Sequence, residues 1–207
     1  MTCAVCGAPV ERSRTHCAIC GFAKSDAAAK RWDREPESNA YEDMSHALEP
    51  DETLLGVTRG KIAGTWKRPL SFQPQALLSP YVNLGITDDK LILQPVHSSN
   101  GRAVSDKGST IHLKEVTGIT LSDADPMESG RTARMVVYVK DGEGFRLRSS
   151  GRFAESARNL VEVWQSLTGK TPKTHHPENE CNHCGRELDR PYKFCPFCGL
   201  EIDISGD

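Results

Sequence analysis

The sequence predicts an α+β chain: an antiparallel β-barrel or roll capped by a C-terminal helix and flanked by two small four-cysteine units. Three observations predict it. All eight cysteines fall into four Cys-x-x-Cys pairs, two at each end of the chain. Between them run short apolar and alternating segments separated by turn residues, the pattern of strands and hairpins. One stretch with apolar residues every three or four positions follows the last of these segments.

The first unit, "CAVCGAPVERSRTHCAICGF", and the second, "CNHCGRELDRPYKFCPFCGLEI", share one spacing. In each, two Cys-x-x-Cys-Gly turns are separated by nine residues. Two residues between cysteines let both sulfurs of a turn reach one ion at about 2.3 Å. The glycine after each pair suits a tight turn with positive φ, which also aims backbone N–H groups at sulfur. The expected ligands are Cys3, Cys6, Cys17 and Cys20 in one unit and Cys181, Cys184, Cys195 and Cys198 in the other. Four sulfurs fill a tetrahedron and leave no vertex for water or substrate, so two structural Zn²⁺ ions are expected, with iron the alternative for an all-sulfur site. His16 and His183 stand beside ligands and are read as surface residues of the turns.

The chain has 207 residues and a formal net charge of -2. Eight thiolates on two divalent ions would take that to about -6. An acidic whole argues against generic nucleic-acid binding. The sequence contains no run of 18 or more apolar residues and no basic start followed by an apolar stretch, so a cytoplasmic protein is expected.

Between the units the charge is uneven. Residues 25–53 carry nine acids and three bases, whereas 54–168 carry fifteen bases and eleven acids. The acidic stretch is expected to be a linker with helical pieces. Ser25 or Asp26 can cap a short helix through Arg34, and Pro36 stops it. Trp32 and Tyr41 are candidates for docking this linker onto a neighbour. The second linker, "GKTPKTHHPENE", is polar, contains two prolines, and is expected to be extended or flexible. Its tandem His175 and His176 are read as part of a solvated loop. The divisions are therefore 1–24, 25–47, 48–168, 169–180 and 181–207.

Strands are expected at 54–64, 81–86, 91–96, 133–140 and 145–150, with one or two more over 110–121, six or seven in all. Thr87-Asp88-Asp89-Lys90 and Asp141-Gly142 are the hairpin turns, and Gly118 is a bulge or break. The helix is expected from Arg152 to Thr168, with Phe153, Ala157, Leu160, Val161, Trp164 and Leu167 forming one stripe. Ser149 and Ser150 are candidate caps at its start, and Gly169 and Pro172 close it.

Two resemblances follow from these residues. "CNHCGRELDRPYKFCPFCG" resembles the short bacterial and archaeal zinc ribbon, matching at Phe194, Cys195, Pro196, Cys198 and Gly199. The N-terminal copy is looser, with His16 and Ala18 at the Phe and Pro positions. The spacing is also similar to the Ran-binding type of zinc finger, but both units lack its Trp and Asn. The middle resembles the GRAM and bacterial PH-like families over roughly 48–168. "LEPDETLLGVTRGKI" resembles their lead into the first strand, "LGITDDKLIL" their hairpin, and "IHLKEVTGITL" the segment after it. The loops at 65–80 and 97–109 are longer than that pattern. The resemblance implies a PH-like barrel plugged by its helix; a split barrel or another α+β roll suits the same strand count.

The sequence lacks His-Glu-x-x-His, Gly-x-Ser-x-Gly and a phosphate loop ending in Gly-Lys-Ser/Thr, so a non-catalytic protein is expected. The candidate partner-binding stretch is "RGKIAGTWKRPLSF", where Arg59, Lys61, Lys67 and Arg68 surround Trp66. A bulky aromatic among cations suits an acidic peptide or an anionic membrane surface. It also suits the chain's own acidic stretch at 25–53. A protein-interaction adaptor is the leading expectation, ahead of lipid binding through this loop. Nucleic-acid binding comes third, through Arg12, Arg14, Arg186, Arg190 and Lys193.

Overall fold

The computed structural model describes residues 1–23, 38–66, 81–105, 108–123, 132–140, 144–172 and 193–196. A short helix α1 (Ala40–Ser45) precedes β1 (Gly56–Trp66), β2 (Tyr81–Ile86), β3 (Lys90–Pro95) and β4 (Ser109–His112). A 3₁₀ turn at Leu113–Glu115 leads into β5 (Val116–Asp123), β6 (Thr132–Val139), β7 (Gly144–Ser150) and α2 (Arg152–Thr168). The expected helix from Ser25 or Asp26 to Arg34, and His175 and His176, lie outside the described residues.

All seven strands pair antiparallel in one sheet, in the order β4-β3-β2-β1-β7-β6-β5. Consecutive β4 and β5 therefore lie at opposite edges, joined by three residues. A flat sheet would hold those edges about 29 Å apart at ~4.8 Å per strand pair. The link can span at most about 14 Å. The sheet must curl, and its concave face wraps a core.

That core is built by strand alternation. Val82, Leu84, Ile86, Leu91, Leu93, Met135, Val137, Phe145 and Leu147 point inward, and α2 adds Ala154, Ala157, Leu160, Val161 and Trp164. Trp164 is fully buried, so its truncation would remove packing worth about 3–5 kcal/mol. The ends of the predicted stripe go elsewhere: Leu167 is exposed, and Phe153 packs into a second cluster.

Several local expectations agree with the structure. Thr87 closes its hairpin by donating its backbone N–H to the Lys90 carbonyl at 2.9 Å. Register shifts between Val116 and Gly118, as the bulge reading implied. Gly169 ends α2 in the left-handed region, its N–H donating to the Gln165 carbonyl. The start of α2 differs. Ser149 and Ser150 stay in β7, and Gly151, at φ 62°, occupies the cap position with no side-chain cap bond. The positive φ turns the chain sharply from strand to helix there, so neither serine reaches the first turn.

The convex face of β1–β2–β3 is layered along the strands. Val57, Gly85 and Ile92 form its first row, Arg59, Asn83 and Gln94 the second, and Lys61 with Tyr81 the third. The first row is buried, the second partly or wholly buried, and the third exposed. α1 and the N-terminal unit lie over the first row. Met44 packs so closely there that a Cβ at Gly85 would run into Met44 and Leu54.

Candidate metal centre

Two equivalent turns carry the N-terminal cysteines. In the first, Cys3 N–H donates to the Ala8 carbonyl at 2.8 Å and Gly7 N–H to the Cys3 carbonyl at 3.1 Å. In the second, Cys17 N–H donates to Phe22 at 3.0 Å and Gly21 N–H to Cys17 at 2.9 Å. Gly7 and Gly21 sit at φ 83° and 70°, a region that side chains avoid, which accounts for glycine after each pair. Short bridges, Thr2 with Pro9 and His16 with Ala23, flank the turns.

These turns bring the sulfurs of Cys3, Cys6, Cys17 and Cys20 within 4.8 Å of one another, all fully buried. Cys3 and Cys20 Sγ are 3.6 Å apart, and Cys6 and Cys17 Sγ 3.8 Å. Vertices of a tetrahedron around an ion at ~2.3 Å lie about 3.8 Å apart, so the spacing fits a four-sulfur metal site. It is far beyond the ~2.05 Å of a disulfide, and the cysteines are free thiols. The Val5 N–H donates to Cys3 Sγ at 3.4 Å, the outer-shell contact expected around a thiolate.

The crowded sulfurs polarise one another. Hydrogen bonds from Cys17, Cys20 and Cys6 draw the Cys3 thiol below its ordinary value, while Cys17 and the other neighbours push Cys6 up. Cys17 is likewise drawn down, chiefly by Cys20, and Cys20 pushed up by Cys17. Four contiguous sulfurs cannot all carry charge alone; a divalent cation at their centre relieves that repulsion.

The unit is seated on the sheet and helix. The Ile19 carbonyl accepts from Val57 N–H at 3.1 Å and from the Asn159 side-chain amide at 3.2 Å. The Cys6 carbonyl accepts from Tyr41 N–H at 2.9 Å. All four cysteines, Val5, Ala8 and Val10 share one buried cluster with Ala40, Met44, Leu54, Val57 and Ile92, with Tyr41 packed against it. Arg152 stacks over Phe22 with its guanidinium 5.5 Å from the ring centre. The sequence predicts an acidic linker after this unit, with Trp32 and Tyr41 as its docking candidates, and no seat for the unit itself. The seating differs because the first row of the convex face is apolar and needs a cover.

In the C-terminal unit, Cys195 is buried, Phe194 is exposed, and the Lys193 ammonium lies 5.7 Å from the Phe194 ring centre. Cys181, Cys184 and Cys198 lie outside the described residues.

The candidate partner-binding residues separate. Lys67 and Arg68 lie outside the described residues, and Trp66 is described by its backbone, opposite Gly144. Arg59 turns into the second row. Its Nε donates to Asn83 Oδ1 at 2.8 Å and a terminal nitrogen to the Gly101 carbonyl at 2.6 Å. Asp43 Oδ2 lies 3.9 Å away, and the Phe153 ring centre 5.6 Å. Burial lowers the Arg59 pKa against the opposing pull of Asp43, and burial raises that of Asp43 against Arg59. This cation ties α1, β1, β2 and the 97–103 loop together.

Lys61 remains at the surface, where its neighbours were not legible in the sequence. It stands directly opposite Tyr81 on one side and Arg148 on the other, and Arg148 stands opposite Arg134. Period-two alternation places both arginines on the convex face, but the pairing register is needed to align them with Lys61.

No protein-family model and no curated protein matches the chain. Among solved structures, the hSac2 domain from human phosphoinositide phosphatase Sac2 aligns at TM-score 0.41 and 12% identity, over 74% of this chain and 98% of that one. A DUF1696 family protein with a pleckstrin-homology domain from Shewanella loihica aligns at TM-score 0.35 and 12% identity, over 62% and 86%. At these values the likeness carries no argument about function.

Proposed function

We propose that the chain is a non-catalytic zinc-binding adaptor, in which a PH-like domain and two zinc ribbons present surfaces to a protein partner. The observation that carries this reading is the closed cluster of Cys3, Cys6, Cys17 and Cys20. Four buried sulfurs leave no open coordination position, which suits an ion that holds a fold together rather than one that activates water. Such a unit has too few residues to stabilise itself by its own core, and metal binding supplies the missing folding energy. The same spacing at Cys181, Cys184, Cys195 and Cys198 supports a second zinc.

Elemental analysis of the purified chain tests the metal part. About two zinc ions per chain are expected, and a value near zero with eight titratable thiols overturns it. Capture from native cytosol, with and without chelator, followed by reconstitution with the purified candidate, tests the adaptor part. A partner lost on chelation and regained with zinc supports it.

A second reading is peripheral attachment to an anionic membrane through Trp66, Lys67 and Arg68. The observation favouring it is compositional: residues 59–87 contain four basic residues and no acid. Among the described residues no helix is long and apolar enough to cross a membrane. Liposome flotation with and without Trp66→Ala separates this reading from the first.

A further inference from the structure

We propose that Asn100 and Gly101 form a site of spontaneous covalent modification. The Asn100 side chain closes onto the Gly101 nitrogen, water reopens the ring to isoaspartate, and the lengthened turn releases Arg59 and loosens the seat of the N-terminal metal unit. The proposal goes beyond the adaptor reading and does not depend on it.

The chain has six asparagines, and only Asn100 precedes a glycine. The pair lies at the tip of a short hairpin closed by the bridge of Val96 with Ala103. Gly101 N–H donates to the His97 carbonyl and His97 N–H to the Arg102 carbonyl, both at 2.8 Å. His97, Ser98, Ser99, Asn100 and Arg102 are exposed, so water reaches the turn. Gly101 stands at φ 66°, a conformation suited to glycine, and it has no side chain to shield its nitrogen. Asn100 Oδ1 accepts the Arg102 N–H at 3.0 Å, which draws electrons from Cγ, the atom under attack. The bond from Gly101 N–H to His97 restrains the nucleophile, so the reaction follows local opening of the turn.

The step needs only water, and nothing is oxidised or reduced. The Gly101 nitrogen gives up its proton and bonds to Asn100 Cγ. The Cγ–Nδ2 bond breaks, and ammonia leaves with that proton. Water then opens the cyclic imide. Attack at the Asn100 backbone carbonyl breaks its bond to the Gly101 nitrogen and leaves isoaspartate, whose main chain runs through Cβ and Cγ. Attack at Cγ leaves aspartate. Both products add a negative charge, and isoaspartate also adds a methylene to the main chain.

The position of the turn gives that lengthening its effect. The Gly101 carbonyl takes an Arg59 terminal nitrogen at 2.6 Å, and the same nitrogen faces Asp43 of α1 at 3.9 Å. The approach has no slack, since a Cβ at Gly101 would run into the Arg59 guanidinium. The Arg59 side chain is 14% exposed, so a displaced carbonyl leaves a largely buried donor short of a partner. From α1 the link continues, because Tyr41 N–H donates to the Cys6 carbonyl at 2.9 Å. Release of Arg59 is thereby felt at the metal unit.

The test ages the full zinc-loaded chain for weeks in mildly alkaline buffer at body temperature. Peptide mapping reads the amide-to-carboxyl mass gain, fragmentation tells isoaspartate from aspartate, and hydrogen exchange reads α1. The gain is expected at Asn100 ahead of the other five asparagines, with isoaspartate the major product. In the aged chain α1 amides, Tyr41 included, should exchange several-fold faster, while those of β6 hold. Asn100→Ser keeps a side-chain oxygen for Arg102 and cannot close the ring, so the aged variant should keep its α1 protection. Fresh Asn100→Asp carries the charge on an unlengthened backbone and should exchange as the fresh parent does. Conversion of Asn100 no sooner than the others, conversion with α1 protection intact, or equal loosening in fresh Asn100→Asp overturns the proposal.

Discussion

The half-buried Asn159 side chain of α2 donates to the carbonyl of Ile19 in the second cysteine turn at 3.2 Å. That carbonyl also takes the N–H of Val57. One oxygen thus joins the metal-site unit to both the sheet and the helix. The Asn159 side chain also fills the space beside Gly21, where a Cβ would approach within 2.9 Å.

Asn159→Ala should therefore destabilise the chain by about 1 kcal/mol, the usual net value of one hydrogen bond. Urea unfolding measures this. Gly21→Ala should cost more, because it adds a collision with Asn159 to a strained positive φ.

Removing the metal should loosen the N-terminal unit before the sheet. Under chelation, amide exchange at Val57 and Tyr41, whose N–H groups donate to that unit, should accelerate strongly. Amides of β6, paired on both sides, should keep their protection. Hydrogen exchange with mass spectrometry reads both, and equal acceleration everywhere would contradict this order.

Asp43 predicts a pH dependence of definite sign. Burial raises its pKa above the ordinary 3.8, so the folded chain keeps a proton that the unfolded chain has already lost. Asp43 therefore adds stability below the ordinary value, and that contribution is lost as pH rises to the raised folded value. Asp43→Asn should flatten the stability profile in that window. The comparison is thermal unfolding of both proteins from the ordinary carboxylate range upward.

Gly85→Ala tests the packing of α1 on the sheet. A Cβ there collides with Met44 and Leu54, so about 1–3 kcal/mol should be lost. Met44→Ala in the same chain should restore part of it, and the double-mutant cycle gives the coupling.

The cysteine cluster was legible because its determinants are local: two turns, each closed within five residues, set the ligand spacing. Most strands were legible because alternation is local too. The covered convex face was not foreseen, although Leu91-Ile92-Leu93 carries a trace of it, since an unbroken apolar run signals burial on both sides. Arg59 reads as a surface cation by its charge; it is half-buried because α1 brings Asp43 beside it and the 97–103 loop brings Gly101. Neither partner lies near it in sequence, and the same holds for the alignment of Lys61 with Arg148 and Arg134.

The contact between Ile19 and Asn159 spans 140 positions of sequence. The cysteine unit precedes the sheet in the chain, and its four ligands, which span only 18 residues, can come together before the strands are made. Its resting place is finished only when α2, the last element of the barrel, has been made. During synthesis a completed unit therefore lacks its Asn159 and Arg152 contacts until α2 has been made. A chain cut short before α2 would leave the Ile19 carbonyl without the Asn159 amide and the Phe22 ring without Arg152, a mark by which an unfinished molecule differs from a finished one.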